Sequence, residues 1–331
     1  MNEVAFVKKR ESDWQRLTHL CDAADVSPSK LRADEFHEFI RLYRRVSADL
    51  AVARTRSNNI QLINFLNDVV ARAYGILYRS PRRSFGRSIM DALELAAQTV
   101  RRCRWFVLTS VLLFVGSAFF AFFMLDWQPQ TRSVFVPPEF DEAFAQWKTG
   151  KFDERTTGES TLMTGFYMFN NPRQAVVGGA IAASTFGLGT AGVLYENGAL
   201  IGSLAHELRP NGLMGHLFVS IAPHGVTEIS GLILSGAAGL VMGYALINPG
   251  RRKRGDALKA AGKDALVLLT VSVLMMFMAA PIEGFFSFNP RVPVAAKIIF
   301  ASCSAIAWGL FWVFFGRGSE AAERVLPDRS V

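Results

Sequence analysis

Residues 105–125 read WFVLTSVLLFVGSAFFAFFML and contain no charged side chain. A helical run of about 20 apolar residues matches the thickness of the hydrocarbon core of a bilayer. Three arginines lie directly before the run, and Asp126 follows it. Because membrane helices keep basic residues on the cytoplasmic side, we expect this helix to run outward from the cytoplasm.

The composition of the whole chain also favours a membrane protein. Of its 331 residues, 50% are hydrophobic, and the mean hydropathy is +0.22. Residues 1–104, in contrast, hold 19 Lys/Arg and 12 Asp/Glu and have apolar positions spaced by three and four in 35–53 and 60–77. That spacing predicts amphipathic helices. Since the first long apolar run begins at Trp105, we expect no secretory signal and a basic, helical domain 1–104 in the cytoplasm.

The remaining chain is predicted to form an all-α bundle over 105–315 with about six membrane segments. The polar, proline-containing stretch 126–173 is predicted to be the extracytoplasmic loop. Residues 248–264 hold six Lys/Arg and two Asp/Glu, which places them on the cytoplasmic side. Both termini, including the tail 316–331, are then expected in the cytoplasm of a bacterium, with the bundle in the inner membrane. The predicted segments are 105–125, 174–195, 197–222, 225–247, 265–286 and 294–315.

One of these segments is predicted to be broken or re-entrant. The sequence Arg209-Pro-Asn-Gly interrupts 197–222 and leaves two stretches, around 198–206 and 213–222. Each is too short to cross a bilayer alone. Irregular backbone at membrane depth is tolerated only against protein or a water-filled cavity.

Two ionisable residues, one directly before the segment 225–247 and one within it, are followed by a ladder of small residues. At about 100° per residue, His224 and Glu228 fall on the same third of the helix as the ladder. A charge in lipid costs at least a few kcal/mol, so both side chains should face neighbouring helices. Small residues predicted to allow close helix packing are Gly179, Gly187, Gly231, Ser235, Gly239 and Gly243.

Glu283, Asn170 and Asn171 are expected at a similar depth and complete a predicted polar cluster with His224 and Glu228. The cluster has two interpretations: a site for a proton, a metal ion or a partner, or a structural element. In the structural interpretation, His224 caps a turn and Glu228 bonds across helices or pairs with Arg291 or Lys297. A second polar point, Glu196 and Asn197, is expected at a solvated helix end.

Several functional classes are disfavoured by the sequence. It contains no His-Glu-x-x-His, Gly-x-Ser-x-Gly or phosphate-binding Gly-x-x-x-x-Gly-Lys-Ser/Thr. Three cysteines do not form a disulfide framework or thiolate cluster. We therefore predict no catalytic residue, cofactor or bound metal. The basic residues of 1–104 are interspersed with acidic ones, which favours anionic lipid over nucleic acid as their partner.

Four motifs give the chain a family resemblance. They are Leu42-Tyr-Arg-Arg-Val-Ser-Ala-Asp-Leu, Asn170-Asn171, Glu196-Asn-Gly, and Pro223-His-Gly-Val-Thr-Glu228 with its glycine ladder. Together they resemble the stage II sporulation protein M family of bacterial membrane proteins, over essentially the whole chain.

The resemblance implies a membrane scaffold. In spore formers, such a protein recruits the peptidoglycan-degrading sporulation proteins D and P, and relatives elsewhere are associated with a MoxR-type AAA ATPase and von Willebrand A-like proteins. We therefore predict a non-enzymatic scaffold that assembles with cell-envelope proteins and can self-associate. The alternatives are a transporter or channel with an interior His/Glu site, and an intramembrane metalloenzyme.

Overall fold

The structure, a computed structural model, describes residues 3–26, 32–78 and 85–318, apart from the side chains of 25, 26, 33 and 178–184. Within these ranges the chain is helical and contains no β-strand, as the sequence predicts. The chain divides into two compact units, Met1–Ser84 and Phe85–Val331. The division therefore falls before the helix that leads into the first apolar run, whereas the sequence analysis places it near residue 104.

The described part of the N-terminal unit, residues 3–26 and 32–78, forms three helices: α1 (Glu3–Val26), α2 (Ala33–Arg56) and α3 (Ile60–Leu77). Apolar residues recur every three or four positions along each helix, so each presents one apolar face to the other two. A buried hydrogen bond from Trp14 Nε1 to Asp49 Oδ2, 3.0 Å long, ties α1 to α2. The buried residues of this core are Trp14, Leu17, Leu20, Cys21, Ala24, Phe39, Leu42, Val46, Leu50, Ala53, Leu66, Val69, Ala73 and Ile76.

The second unit, here called the membrane unit, contains the remaining helices. Among the residues that the structure describes, four helical stretches are long and apolar enough to cross a membrane: Arg104–Trp127, Met214–Ile247, Arg254–Ser287 and Val294–Phe314. The predicted count of six spans is therefore matched only in part. The helices of this unit are α4 (Phe85–Arg102), α5 (Arg104–Trp127), α6 (Arg132–Phe135), α7 (Asp141–Lys148), α8 (Thr157–Ser184), α9 (Leu188–Leu208), α10 (Met214–Ile247), α11 (Arg254–Ile282) and α12 (Val294–Phe314).

The prediction of a single helix over 174–195 is wrong. The chain turns at residues 185–187, where Phe186 has φ 53° and Gly187 has φ 90°. Glycine adopts this left-handed backbone without a steric cost, and it commonly ends helices for that reason. Since the apolar composition continues through the turn, hydropathy alone does not reveal where α8 ends and α9 begins.

The predicted break at Arg209-Pro-Asn-Gly in segment 197–222 is present, but the stretches on either side of it are longer than predicted. The turn at Arg209–Asn211 joins two long helices, α9 and α10, rather than two short stretches. Pro223 lies inside α10, which continues through it to Ile247. Helix α8 begins at Thr157, so part of the expected loop 126–173 is helical; the loop segment between α5 and α8 is residues 128–156.

Helices α5 and α9 pack with their backbones in close contact. A Cβ atom on Gly198 would overlap the carbonyl oxygen of Phe114, and one on Gly202 would overlap that of Ala118. Such close approach is the usual way in which small residues stabilise helix pairs in lipid, where apolar side chains gain little from leaving the solvent. It also aligns α9 with a helix that is apolar enough to span a membrane.

Helix α4 packs against α11 and α12. Arg102 pairs with Asp264 of α11 at 2.5 Å, and Arg101 donates a hydrogen bond to the carbonyl oxygen of Trp312. Ala96 and Ala97 are buried, whereas Ile89 and Leu93, nearer the start of α4, are exposed.

Candidate functional site

The predicted polar cluster is assembled from three helices of the membrane unit. Asn171 lies in the middle of α8, His224 and Glu228 lie one turn apart on α10, and Glu283 directly follows α11. His224 and Glu283 are buried, with 6% and 8% of their surfaces exposed. Residues four apart on a helix project from the same face, which is why α10 presents His224 and Glu228 together.

Hydrogen bonds connect the cluster across helices. Asn171 Nδ2 donates to Glu228 Oε1 at 2.9 Å and reaches Glu283 Oε2 at 3.5 Å. His224 Nδ1 lies 2.8 Å from Ser287 Oγ. His224, Glu228 and Glu283 each offer one atom that could ligate a metal ion, a ring nitrogen or a carboxylate oxygen. These three atoms lie within 4.8 Å of one another. Asn170 is at the edge of the cluster, where its Nδ2 approaches Asn171 Oδ1 at 3.4 Å.

The backbone after α11 forms a π-helical turn, Glu283–Ser287, that brings two of these side chains to α10. Such turns are frequently found at functional sites. Gly284 is required here because a Cβ atom would overlap Thr164 Oγ1 on α8. Ser287 was missed by sequence reasoning, since a serine near an aromatic, glycine-containing stretch carries no distinguishing pattern. The only nearby signal in the sequence is the occurrence of Pro281 and Gly284 close together, which indicates irregular backbone near a helix end but does not point to Ser287.

The structural interpretation of the cluster is correct for Glu228 and wrong for His224. Glu228 does form a hydrogen bond across helices, to Asn171. His224, however, lies inside α10 and does not cap a turn. Arg291 pairs with Glu154 of the loop segment and not with Glu228.

A pocket of about 520 Å³, here called the loop-side pocket, leads from the loop segment to the cluster. Aromatic side chains form much of its wall, and Trp147, Phe152 and Phe288 contact one another there. Arg155, which is also in the wall, lies over the ring of Phe288. His224, Glu228 and Glu283 line the deep end of the pocket. The arrangement is that of a ligand pocket, with apolar walls and a few convergent polar groups.

Beyond Glu228, α10 is tightly packed. A Cβ atom on Gly231 would lie 3.0 Å from the carbonyl oxygen of Ser272, and Ser235 Oγ donates to the carbonyl oxygen of Ala175 at 2.9 Å. Leu234 and Ala237 are buried. A second cavity, of about 730 Å³, begins only at Val241, on the side of Arg251 and Arg252. This packed stretch of α10 separates the two cavities.

The predicted small-residue ladder lies at helix contacts throughout its described length. Gly231 faces α11 and Ser235 faces α8. A Cβ atom on Gly187 would lie 3.7 Å from Gly243 Cα and 3.8 Å from the carbonyl oxygen of Gly239. Gly179, the remaining residue of the predicted set, lies outside the described side chains.

The second polar point occupies a different position from the predicted one. Glu196 and Asn197 lie in the middle of α9, not at a helix end. Asn197 Nδ2 donates to the carbonyl oxygen of Val193 in its own helix at 2.8 Å, and Glu196 is exposed. Together with Glu139 and Gln174 they line a groove of about 400 Å³, here called the Glu196 groove. The structure does not bring this groove to the polar cluster.

Comparisons with known proteins identify two regions. Residues 109–288 match the family described as stage II sporulation protein M, and residues 4–79 match a domain of unknown function (DUF8413). Neither a search of curated proteins nor a search of solved structures gave a significant match. The first match covers more than half of the chain and includes the whole polar cluster, so the chain belongs to the stage II sporulation protein M family of membrane proteins.

Proposed function

We propose that the protein is a non-enzymatic scaffold of the bacterial inner membrane that assembles with other cell-envelope proteins. Exposed Glu196 is the observation that carries this proposal. Gly198, half a turn away on α9, packs against Phe114 near the middle of the apolar helix α5. Glu196 is therefore at the depth of the hydrocarbon core, where an uncovered carboxylate costs at least a few kcal/mol. A polar partner helix in the Glu196 groove would remove that cost.

The distribution of charge supports an orientation with both termini in the cytoplasm. Arg101, Arg102 and Arg104 precede α5, and Arg251–Arg254 follow α10. Both groups of residues contribute to the cavity at the far end from the loop segment, through Arg102, Arg251 and Arg252. By the positive-inside rule this end faces the cytoplasm, and the loop segment and the loop-side pocket face outward.

Transport is less well supported than assembly. A transporter needs a polar path that opens to each side in turn, usually along discontinuous helices. On α10 the lining of the loop-side pocket ends at Ile229, and the packed stretch from Gly231 to Ala237 follows it. Helix α10 is continuous through this region. These observations support a binding pocket that opens toward the loop segment and is closed at the polar cluster.

Copurification from native membranes tests the scaffold role. The variant Glu196→Leu/Asn197→Leu replaces the polar pair with side chains that suit lipid. We expect membrane or ATPase partners to copurify with the wild type. The amount of each partner, measured by quantitative mass spectrometry, should be at least tenfold lower with the variant. The resemblance makes a MoxR-type ATPase and von Willebrand A-like proteins the expected partners.

The control is Glu142→Ala, which removes an exposed carboxylate from α7 outside the groove. It should retain every partner of the wild type. A second copy of the chain as the sole partner would assign the groove to self-association. If the wild type purifies as a single chain without partners, the scaffold proposal is wrong.

A further inference from the structure

We propose that His224, Glu228 and Glu283 bind one divalent transition-metal ion, of which Zn²⁺ is the best match. The proposal concerns the loop-side pocket and does not depend on the assembly role of the Glu196 groove. It differs from metalloenzyme function because it requires metal binding alone.

The first argument is the geometry of the three side chains. The atoms that would ligate the ion lie within 4.8 Å of one another, so small side-chain movements would bring all three to one ion. They come from two segments, α10 and the π-helical turn after α11. An ion at this point would therefore bridge two segments of the bundle, and its binding would stabilise the folded chain.

The second argument is an acceptor atom that lacks a partner. Glu228 Oε2 is shielded from solvent, and among the residues that the structure describes no nitrogen or hydroxyl group donates to it, while the carboxyl group of Glu283 lies within hydrogen-bond reach of Glu228. Glu228 Oε1, in contrast, accepts from Asn171. A buried carboxylate oxygen without a donor is costly, and a cation would satisfy it. A cation would also relieve the repulsion between the two neighbouring carboxylates.

The third argument is that neighbouring groups orient the ligands. Ser287 Oγ lies 2.8 Å from His224 Nδ1 and can accept a hydrogen bond from Nδ1–H, in the tautomer that leaves Nε2 with a free lone pair. Metal-binding histidines almost always donate their other ring N–H to such an acceptor. Asn171 holds Glu228 and approaches Glu283 through the same amide group. The contacts of Ser287 and Asn171 thus hold the metal-binding side chains in place without occupying all of the atoms that could bind the ion.

The ligand set selects the class of ion. One imidazole and two carboxylates suit zinc and its first-row neighbours, whereas magnesium and calcium prefer oxygen ligands alone. Three protein ligands leave a coordination position that faces the loop-side pocket, through which an ion can enter. The two carboxylates together carry two negative charges, which match a doubly charged ion better than a singly charged one.

The test uses the full-length, tag-free protein in detergent, stripped with a chelator and titrated with Zn²⁺ against a competing zinc indicator. We expect about one ion per chain and a rise in thermal stability with added Zn²⁺. Glu228→Gln and Glu283→Gln keep the size of each side chain but remove a charged ligand. Each should weaken binding at least tenfold and abolish the thermal shift. Ser287→Ala should weaken binding to a smaller extent.

Glu142→Gln is the matched control, because it removes an exposed carboxylate from the same unit outside the pocket. It should bind Zn²⁺ as the wild type does. Equal zinc affinity in the wild type and both pocket variants would overturn the proposal. If the pocket variants do not fold, Co²⁺ in the wild type decides instead. Visible absorption bands of bound Co²⁺ that disappear on adding Zn²⁺ support the site, and their absence overturns it.

Discussion

In the N-terminal unit the core is filled by large side chains, whereas in the membrane unit the closest helix contacts are made by glycine and serine. Trp14 and Phe39 are almost fully buried between α1, α2 and α3. Between α5 and α9, in contrast, Gly198 and Gly202 bring the backbones themselves together. Two sets of helices in one chain are thus packed by different kinds of residue.

The surrounding solvent explains this difference. In water, burying a large apolar side chain removes it from an unfavourable environment and stabilises the fold by about 1.5–3 kcal/mol. In lipid that gain is absent, and helices associate through close van der Waals contact and hydrogen bonds. Large apolar side chains on α12 accordingly stay exposed, among them Ile299, Ile306 and Leu310. We therefore expect the membrane unit to be most sensitive to enlarging a small residue, and the N-terminal unit to be most sensitive to truncating a large one.

The largest expected effect is that of enlarging a glycine between α5 and α9. Gly202→Leu would force a side chain into the carbonyl group of Ala118. We expect a loss of more than about 4 kcal/mol in the free energy of unfolding, and hence little folded protein in detergent. Gly192→Leu, on the same helix with open space around its Cβ position, is the control and should give near-normal yields. Equal yields of both variants would contradict close α5–α9 packing.

The next largest effect comes from removing a large side chain in the N-terminal unit. Phe39→Ala should reduce the free energy of unfolding of that unit by about 3–5 kcal/mol, because it leaves a cavity in the core. Hydrogen exchange of residues 3–78 in the full-length protein measures the change. Phe36→Ala alters a side chain that is 43% exposed on the same helix and should have little effect. Similar exchange in both variants would contradict the described core.

A smaller effect is expected for a hydrogen bond between membrane helices. Ser235→Ala removes the bond from Ser235 Oγ to the carbonyl oxygen of Ala175. We expect a loss of about 0.5–1.5 kcal/mol in reversible unfolding of the membrane unit. Ser230→Ala removes a bond to Val226 within α10 and provides the control. A larger loss for Ser230→Ala would indicate that the contact between α8 and α10 contributes little.

The smallest effect is the pH dependence of an exposed ion pair in the N-terminal unit. Arg16 donates hydrogen bonds to Glu38 at 2.8 and 3.2 Å, and they hold the pKa of that carboxyl below its ordinary value. The pair therefore stabilises the folded state fully above about pH 4.3, the ordinary pKa of a glutamate. This contribution is lost as the pH falls through the lower pKa that Glu38 has in the folded state. Hydrogen exchange of residues 3–78 from pH 7 to pH 3 should show it, and Arg16→Gln should remove the pH dependence that the pair causes. An unchanged profile in that variant would exclude a contribution from the pair.

The sequence predicts the helical class, the family and the shared face of His224 and Glu228. It also places Asn171 and Glu283 at a similar depth, and both contact Glu228 or approach it in the structure. It fails at Phe186 and Gly187, because hydropathy follows composition and the turn there is apolar. It also fails at Ser287, since the π-helical turn that brings this residue to His224 depends on packing against α8, which local sequence does not encode.

The polar cluster joins α8 and α10 inside the membrane unit through the bond from Asn171 to Glu228. A double-mutant cycle measures this bond, with reversible unfolding followed for wild type, Asn171→Leu, Glu228→Leu and the double variant, because leucine at either position removes one partner of the bond. The bond of 2.9 Å predicts a coupling energy of at least about 0.5 kcal/mol, so the two single losses should sum to more than the loss in the double variant. Losses that add to within the error of measurement would contradict contact between the two side chains, and with it the described centre of the bundle.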